Sequence, residues 1–165
     1  MQQKARAYIK KLQLKKHPEG GYYREVYHSG EKILSGHLPK RYKSSRNFST
    51  SIYFLLEGNQ FSAFHQLKSD ELWHFYDGSD LEVYIINPEG NLTVAKLGRS
   101  DDAEFQIAIE KKCWFAAETE DKQSFSLFGC TVAPGFEFED FELGRRDFLF
   151  KKFPQHKNLI SRLTR

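Results

Sequence analysis

The stretch Phe61 to Gly78, FSAFHQLKSDELWHFYDG, decides how this chain is read. Its first half alternates with period two and carries His65. A polar corner follows at Lys68-Ser69-Asp70, and then a second apolar and aromatic run carries Glu71 and His74 into a turn at Asp77-Gly78. Period two is the pattern of a strand with one buried face. The stretch therefore predicts two adjacent strands joined by a tight connection, with an imidazole and a carboxylate among residues that favour burial. Ionisable groups in such surroundings are costly unless they are paired or used, so this is the first place to look for a site.

Working outward, similar short runs recur at 48–56, 61–67, 71–76, 81–86, 91–97, 104–109, 113–117 and 125–132. Turn signals at Gly58-Asn59, Asp77-Gly78, Asn87-Pro88-Glu89-Gly90 and Gly98 separate several of them. Tyr22 to His28 alternates as well. Many short strands with turns every eight to twelve residues predict a mostly β protein, an antiparallel sandwich or barrel. Before it, Ala5, Tyr8, Ile9 and Leu12 lie at helical spacing and predict an amphipathic helix over 3–13. The Pro/Gly cluster His17-Pro18-Glu19-Gly20-Gly21 stops that helix and launches a strand. Residues 29–47 are polar and basic and predict a long loop, a lid or a mobile segment. After about residue 143, Phe148, Leu149 and Lys152 give a helical spacing over 145–153. Pro154 can then open a last helix, 155–163, with Leu159, Ile160 and Leu163 as its stripe. One domain covers residues 1–165, with its barrel over about 20–143.

The chain has 165 residues, of which 15 are Phe and 8 are Tyr, a composition that suits a β-rich core. No apolar run reaches the ~18 residues needed to cross a bilayer, and the first sixteen residues lack the apolar region of a secretory signal. A cytoplasmic protein without membrane partners is expected, with Cys113 and Cys130 reduced and buried. The net charge of +3 is unevenly spread: residues 1–16 and 145–165 each carry +6, and residues 17–144 carry −9. The basic ends have helical apolar periodicity and no interleaved base-reading residues, so they read as solvated helix faces, with no nucleic-acid partner.

Three segments in order, HPEGGYYREVYHS at 17–29, SDELWHFYDG at 69–78 and GCTVAPGFEFEDFEL at 129–143, resemble the cupin type 5 branch of the cupin superfamily. The resemblance runs over essentially the whole chain and implies a double-stranded β-helix, or jelly-roll barrel, with flanking helices. His65, Glu71 and Gly78 match the first His, the Glu and the closing Gly of the wider superfamily's first motif. Its second His falls on Leu67, and the His of its second motif falls on Phe115. Two customary metal ligands are thus replaced by hydrophobes. A divalent metal would have only His65, Glu71 and a third donor such as His74, against the three or four donors it needs. No cofactor is therefore expected.

His65 shares the alternating set Phe61, Ala63, His65, Leu67, and reads as a cavity-facing base or as a core histidine bonded to a carbonyl. Glu71 shares parity with Trp73 and Phe75. Facing inward, its pKa rises by desolvation unless His65 or Arg24 pairs with it; the alternative is a carboxylate at the rim. His74 has the opposite parity and joins the cavity only across a bulge. Arg24 and Glu25 point to opposite faces, and Arg24 could clamp an anion. Tyr23 and Tyr76 offer a phenol or a stacking ring, and Trp73 a pocket wall. Arg46, at the end of the long loop, completes the ligand-binding candidates. The resemblance extends to metal-free sugar-nucleotide epimerases, which implies a sugar-like or nucleotide-sugar-like ligand with His65 as base. A non-catalytic ligand-binding, storage or sensor protein is the alternative reading. Covered sheet edges favour a homodimer.

Overall fold

Two antiparallel sheets face each other, and nearly every chemically distinctive side chain belongs to their shared interior. The structure is a computed structural model and describes residues 2–165. It begins with α1 (Gln2–Lys11), and the strands that follow are β1 (Tyr22–His28), β2 (Thr50–Glu57), β3 (Phe61–Leu67), β4 (Glu71–Gly78) and β5 (Leu81–Ile86). They continue with β6 (Leu92–Leu97), β7 (Gln106–Ile109), β8 (Trp114–Thr119), β9 (Phe125–Val132) and β10 (Phe141–Leu143). Two short helices, α2 (Arg146–Lys152) and α3 (Lys157–Arg162), close the chain, with a 3-10 turn at Pro154–His156 between them. Among the described residues no helix is long and apolar enough to cross a membrane.

One sheet runs β1-β2-β9-β4-β7, with the two-residue strand Lys15–Lys16 added outside β1. The other runs β10-β3-β8-β5-β6. The strand order crosses repeatedly between the sheets, as a jelly roll requires. Phe54, Leu56, Trp73, Val83, Phe115 and Phe128 fill the space between them. A second cluster, built on Phe64, Trp114, Leu149, Phe153, Ile160 and Leu163, packs α2 and α3 on the outside of the β3 sheet. A third seats α1 over Leu55, Phe125 and Leu127. Strand β3 is therefore covered on both faces, which explains its near-continuous burial.

β3 does not keep a single alternation. His65 pairs with Phe115 of β8, but Ser62 pairs with Ala117, so one extra residue of β3 is accommodated in a bulge. Past the bulge, Phe61 joins the outer cluster under the C-terminal helices instead of sharing the His65 face. Ser62 turns inward and bonds to Glu19. The excursion 29–47 is also more structured than its composition suggests. Lys32–Ile33 pairs with Arg46–Asn47, and Tyr42 Oη lies 2.7 Å from Ser69 Oγ. Arg41 Nε donates to the Lys68 carbonyl at 2.8 Å, which pins the excursion to the β3–β4 corner.

Candidate functional site

Between the sheets lies a cavity of about 390 Å³, within the range that small-molecule sites occupy. Trp73, Phe54, Phe136 and Phe141 give it aromatic walls, and His17, Glu19, His65 and Glu71 give it ionisable groups. Tyr23, Glu25 and His28 from β1 line it as well, together with Lys15, Glu137 and the half-exposed Phe138.

His17 and Glu19 arrive by way of the turn that the sequence presents only as a helix stop. Gly20 and Gly21 have φ of +120° and +70°, the left-handed region that side chains disfavour. A Cβ at Gly21 would lie 2.7 Å from the Leu55 carbonyl, so the loop can press this closely on β2 only with glycine there. The loop then folds Glu19 into the β3 bulge. Ala63 N–H donates to the Glu19 carbonyl at 2.9 Å, and Ser62 Oγ donates to Glu19 Oε1 at 2.7 Å. The other carboxyl oxygen, Oε2, lies 3.3 Å from His65 Nε2 and 3.5 Å from His17 Nδ1. One carboxyl thus sits between two imidazoles.

Burial sets the charge state of this cluster. It pushes the Glu19 carboxyl well above its usual range, with Ser62 opposing and nearby Glu71 reinforcing the rise. It pulls His65 down to about 3, although the bond to the Ala63 carbonyl works the other way. It pulls His17 down to about 4. Burial disfavours the charged form of all three groups, and because the proton of His65 Nδ1 goes to the Ala63 carbonyl, the 3.3 Å contact reads as a carboxylic acid donating to an imidazole. His65 Nδ1 lies 2.8 Å from the Ala63 carbonyl and is the protonated ring nitrogen, which leaves Nε2 as acceptor. The ring packs 4.0 Å, centroid to centroid, from Phe115.

Glu71 projects from β4, on the sheet facing His65, with Trp73 next to it on the same face. It is buried, and its Oε2 is sealed from solvent without a hydrogen-bond partner, as is the indole nitrogen of Trp73. Burial raises its pKa to about 7; the Trp73 indole N–H and the Cys130 thiol, neither of which reaches hydrogen-bond geometry with the carboxyl, oppose that rise only in part. Among the described residues no arginine or lysine offsets it. The Cys130 thiol, buried beside Glu71, is pushed well up and is not a thiolate nucleophile.

The structure brings His65, Glu71, Trp73, Tyr23 and Glu25 to one cavity. It does not bring four others there. His74 and Tyr76 alternate in burial with Glu71 and Trp73 along β4, whose pairing with β9 shifts register at Tyr76, and face outward, where Tyr76 meets Tyr53 edge-on at 5.8 Å. Arg24 is exposed, and its Nη1 donates to the Leu12 carbonyl just after α1. Arg46 is fully buried, but in a separate clamp: its guanidinium donates to both carboxylate oxygens of Asp140 at 2.6 and 2.7 Å and to Glu139 at 2.5 Å. It neutralises those acids and holds the excursion onto the 3-10 turn Phe138–Asp140 that precedes β10. The residues that sequence reasoning missed are His17, Glu19 and Ser62. Their one signal was a His and a Glu placed inside a double-glycine corner within a long matching segment.

A family described as Cupin superfamily (DUF985) matches residues 6–144 of the chain. The uncharacterized protein YML079W of Saccharomyces cerevisiae is 28% identical over 143 residues, covering 80% of this chain and 71% of its own length. Among solved structures, protein SO0799 from Shewanella oneidensis is 40% identical, covers 96% of each chain and superposes with a TM-score of 0.86. A hypothetical protein from Leishmania major is 29% identical over 97% of this chain and 98% of its own, with a TM-score of 0.87. Oxalate decarboxylase from Bacillus subtilis shares the fold alone. It is 17% identical with a TM-score of 0.56, and the match covers 90% of this chain and 36% of that one.

That decarboxylase has Mn(II) centers, and the donor set here does not fit one. Among the described residues no three His, Cys, Asp or Glu converge with metal-holding geometry. Both nitrogens of His65 are engaged within the protein, and Phe115 stands opposite it.

Proposed function

Because the chain belongs to the cupin superfamily, in its DUF985 family, we propose that its barrel cavity takes up a small, uncharged, hydroxyl-bearing metabolite. Glu71 exchanges a proton with that ligand, as in a metal-independent isomerase or epimerase. The observation that carries this reading is the state of Glu71, a buried carboxyl with an unsatisfied oxygen, in the wall of a ligand-sized cavity and held near pKa 7. A group half-ionised at neutral pH can both take and return a proton, which is the condition for efficient general acid–base work.

The ligand is uncharged in this reading because neither Arg24 nor Arg46 reaches the cavity, and the basic groups lining it are Lys15 and histidines. That departs from a nucleotide-sugar substrate, whose phosphates need cations. The aromatic walls suit the apolar faces of a short sugar or polyol. His65 is not the base: its free lone pair is occupied by Glu19, and burial disfavours its charged form. It anchors Glu19 instead.

The test is deuterium uptake from D2O, followed by NMR, into a panel of free and phosphorylated aldoses and ketoses, with polyols as non-exchanging controls, using wild-type protein and E71Q. Uptake into one or more uncharged members is expected, and a loss of about 100-fold or more in E71Q. Full uptake in E71Q would overturn the assignment of the base. A ligand-induced rise in melting temperature without deuterium uptake would establish a binding module in which Glu71 only accepts a ligand hydroxyl.

A further inference from the structure

Glu71 accounts for one polar group of the cavity; His17 is a second, and it has a fixed orientation. Its ring stands edge-on to Tyr23 at 4.6 Å and Phe54 at 5.5 Å, lies against Phe138 at 6.2 Å and meets Phe141 edge-on at 5.9 Å. Four aromatic contacts hold the imidazole in one pose at the cavity wall. Both polar contacts of the ring go through Nδ1: the Glu19 backbone N–H at 3.4 Å and the Glu19 carboxyl at 3.5 Å. Nε2 has no partner among the described residues and is not one of the sealed polar atoms, so it is left to the cavity that His17 lines.

We propose that His17 presents a neutral Nε2–H to the carbonyl oxygen of a small α-hydroxy carbonyl compound, polarising that bond while Glu71 takes the proton from the neighbouring carbon. This rests on the reading of Glu71 given above and narrows its substrate class. The tautomer follows from the donors around the ring. The Glu19 backbone N–H points at Nδ1, which therefore accepts, so the ring proton resides on Nε2. Burial keeps the ring uncharged, as its lowered pKa of about 4 reflects. A neutral imidazole is a weak acid, better matched to a developing enediolate than an imidazolium that would already have lost its proton at working pH.

The step balances without an oxidant or reductant. Glu71, as carboxylate, removes the proton on the carbon that bears the hydroxyl. The C–H electron pair becomes the enediol C=C bond, and the carbonyl π pair moves onto oxygen, where the His17 N–H holds it. Return of a proton from the Glu71 carboxyl to that carbon restores the substrate. Return to the former carbonyl carbon, with a proton passed between the two oxygens, gives the isomer. Glu19 is a positioning residue here: it sets the His17 tautomer and touches no reacting atom.

The test uses hydroxyacetone as probe and reads the bound carbonyl by isotope-edited infrared spectroscopy, independently of turnover. In wild-type protein and in E71Q alike, the carbonyl stretch is expected to fall on binding. The fall should vanish in H17F, which keeps the aromatic packing, and return in part in H17Q, which keeps an N–H donor. Where the wild-type protein turns the probe over, H17F should also lose deuterium uptake by roughly 100-fold. An unchanged stretch in H17F, or no bound carbonyl band at saturating probe, would overturn the role of His17. Nitrogen-15 NMR of labelled histidines in the unaltered protein decides the matter even if H17F does not fold: a proton on Nδ1 of His17 would refute the proposal. Loss of uptake in E71Q with the stretch unaffected by H17F would sink this inference and leave the reading of Glu71 standing. A normal shift in wild type with full uptake in E71Q would do the reverse.

Discussion

Two groups of buried acids in this molecule titrate in opposite directions. On one side, Glu19 and Glu71 line the cavity, and burial raises both. On the other, Asp140 is just as shielded in relative exposure, yet its carboxyl is held below the usual range because Arg46 and Lys68 outweigh the desolvation that would raise it. Lys68 Nζ is 3.0 Å from Asp140 Oδ1, and the Arg46 guanidinium is bidentate. The fold seats cations directly on the acids where it fastens the excursion 29–47, whereas at the cavity Lys15 lines the wall and Arg165 acts on Glu19 without outweighing desolvation. A buried acid with a matched partner is a fastening; a buried acid without one, at the wall of a cavity, is the group left available for chemistry.

The sharpest way to break this contrast is to remove the cation. R46M strands Asp140 with Lys68 alone and should cost about 3–5 kcal/mol of unfolding free energy, measured by denaturant titration, with a cavity that loosens as the excursion detaches. A loss under about 1 kcal/mol would mean the clamp is solvated and the contrast false.

The next effect lies in the pH profile. Glu71 binds its proton more tightly folded than unfolded, so its stabilising contribution is full below the ordinary value of 4.5 and is lost as pH rises through about 7. The 2.5-unit gap corresponds to about 3 kcal/mol. E71Q should remove that slope, leaving the mutant less sensitive to pH between 5 and 8 than the wild type. Asp140 has the opposite sign: its contribution is present above 3.8 and is lost as pH falls through its lowered value. His17 and His65, both lowered from 6.5, likewise give up stability as pH falls from 6.5 toward 4 and 3. Stability should therefore fall toward acid through the histidines and Asp140, and toward base through the cavity carboxyls. Chemical denaturation of wild type and E71Q across pH 4–9 reads the difference.

Smaller effects sharpen the boundary of the site. S62A removes the donor to Glu19 Oε1 and should cost about 1–2 kcal/mol by thermal or chemical denaturation. Y76F, on the outer face, should change stability by less than about 0.5 kcal/mol and leave ligand binding intact. A Y76F variant that lost the ligand would move the site to the wrong face of β4.

The barrel was legible in the sequence because period-two alternation and turn residues are local signals. The runs 61–67, 81–86 and 125–132 coincide with β3, β5 and β9. Parity along β4 set Glu71 and Trp73 apart from His74, and burial alternates in the same way along that strand; Tyr76, a phenol candidate by composition, lies at a register shift against β9 and faces outward. Parity along β3 misled, because the bulge before His65 inverts the face of everything upstream and depends on pairing with β8. His17 and Glu19 were hidden for a different reason. A Pro/Gly corner has no period, and only tertiary contacts with the bulge reveal that its side chains turn inward. Arg46 stood out as a free cation in a basic loop until Asp140, ninety-four residues away, claimed it.

The titration of Glu71 itself is the most direct test of the central claim. Carbon-13 NMR of glutamate-labelled protein, assigned through E71Q, should show one side-chain carboxyl titrating with a midpoint near 7, apart from the surface glutamates. A Glu71 midpoint near the ordinary 4.5 would mean that the carboxyl is solvated or paired, and that the cavity holds no proton-exchanging group at neutral pH.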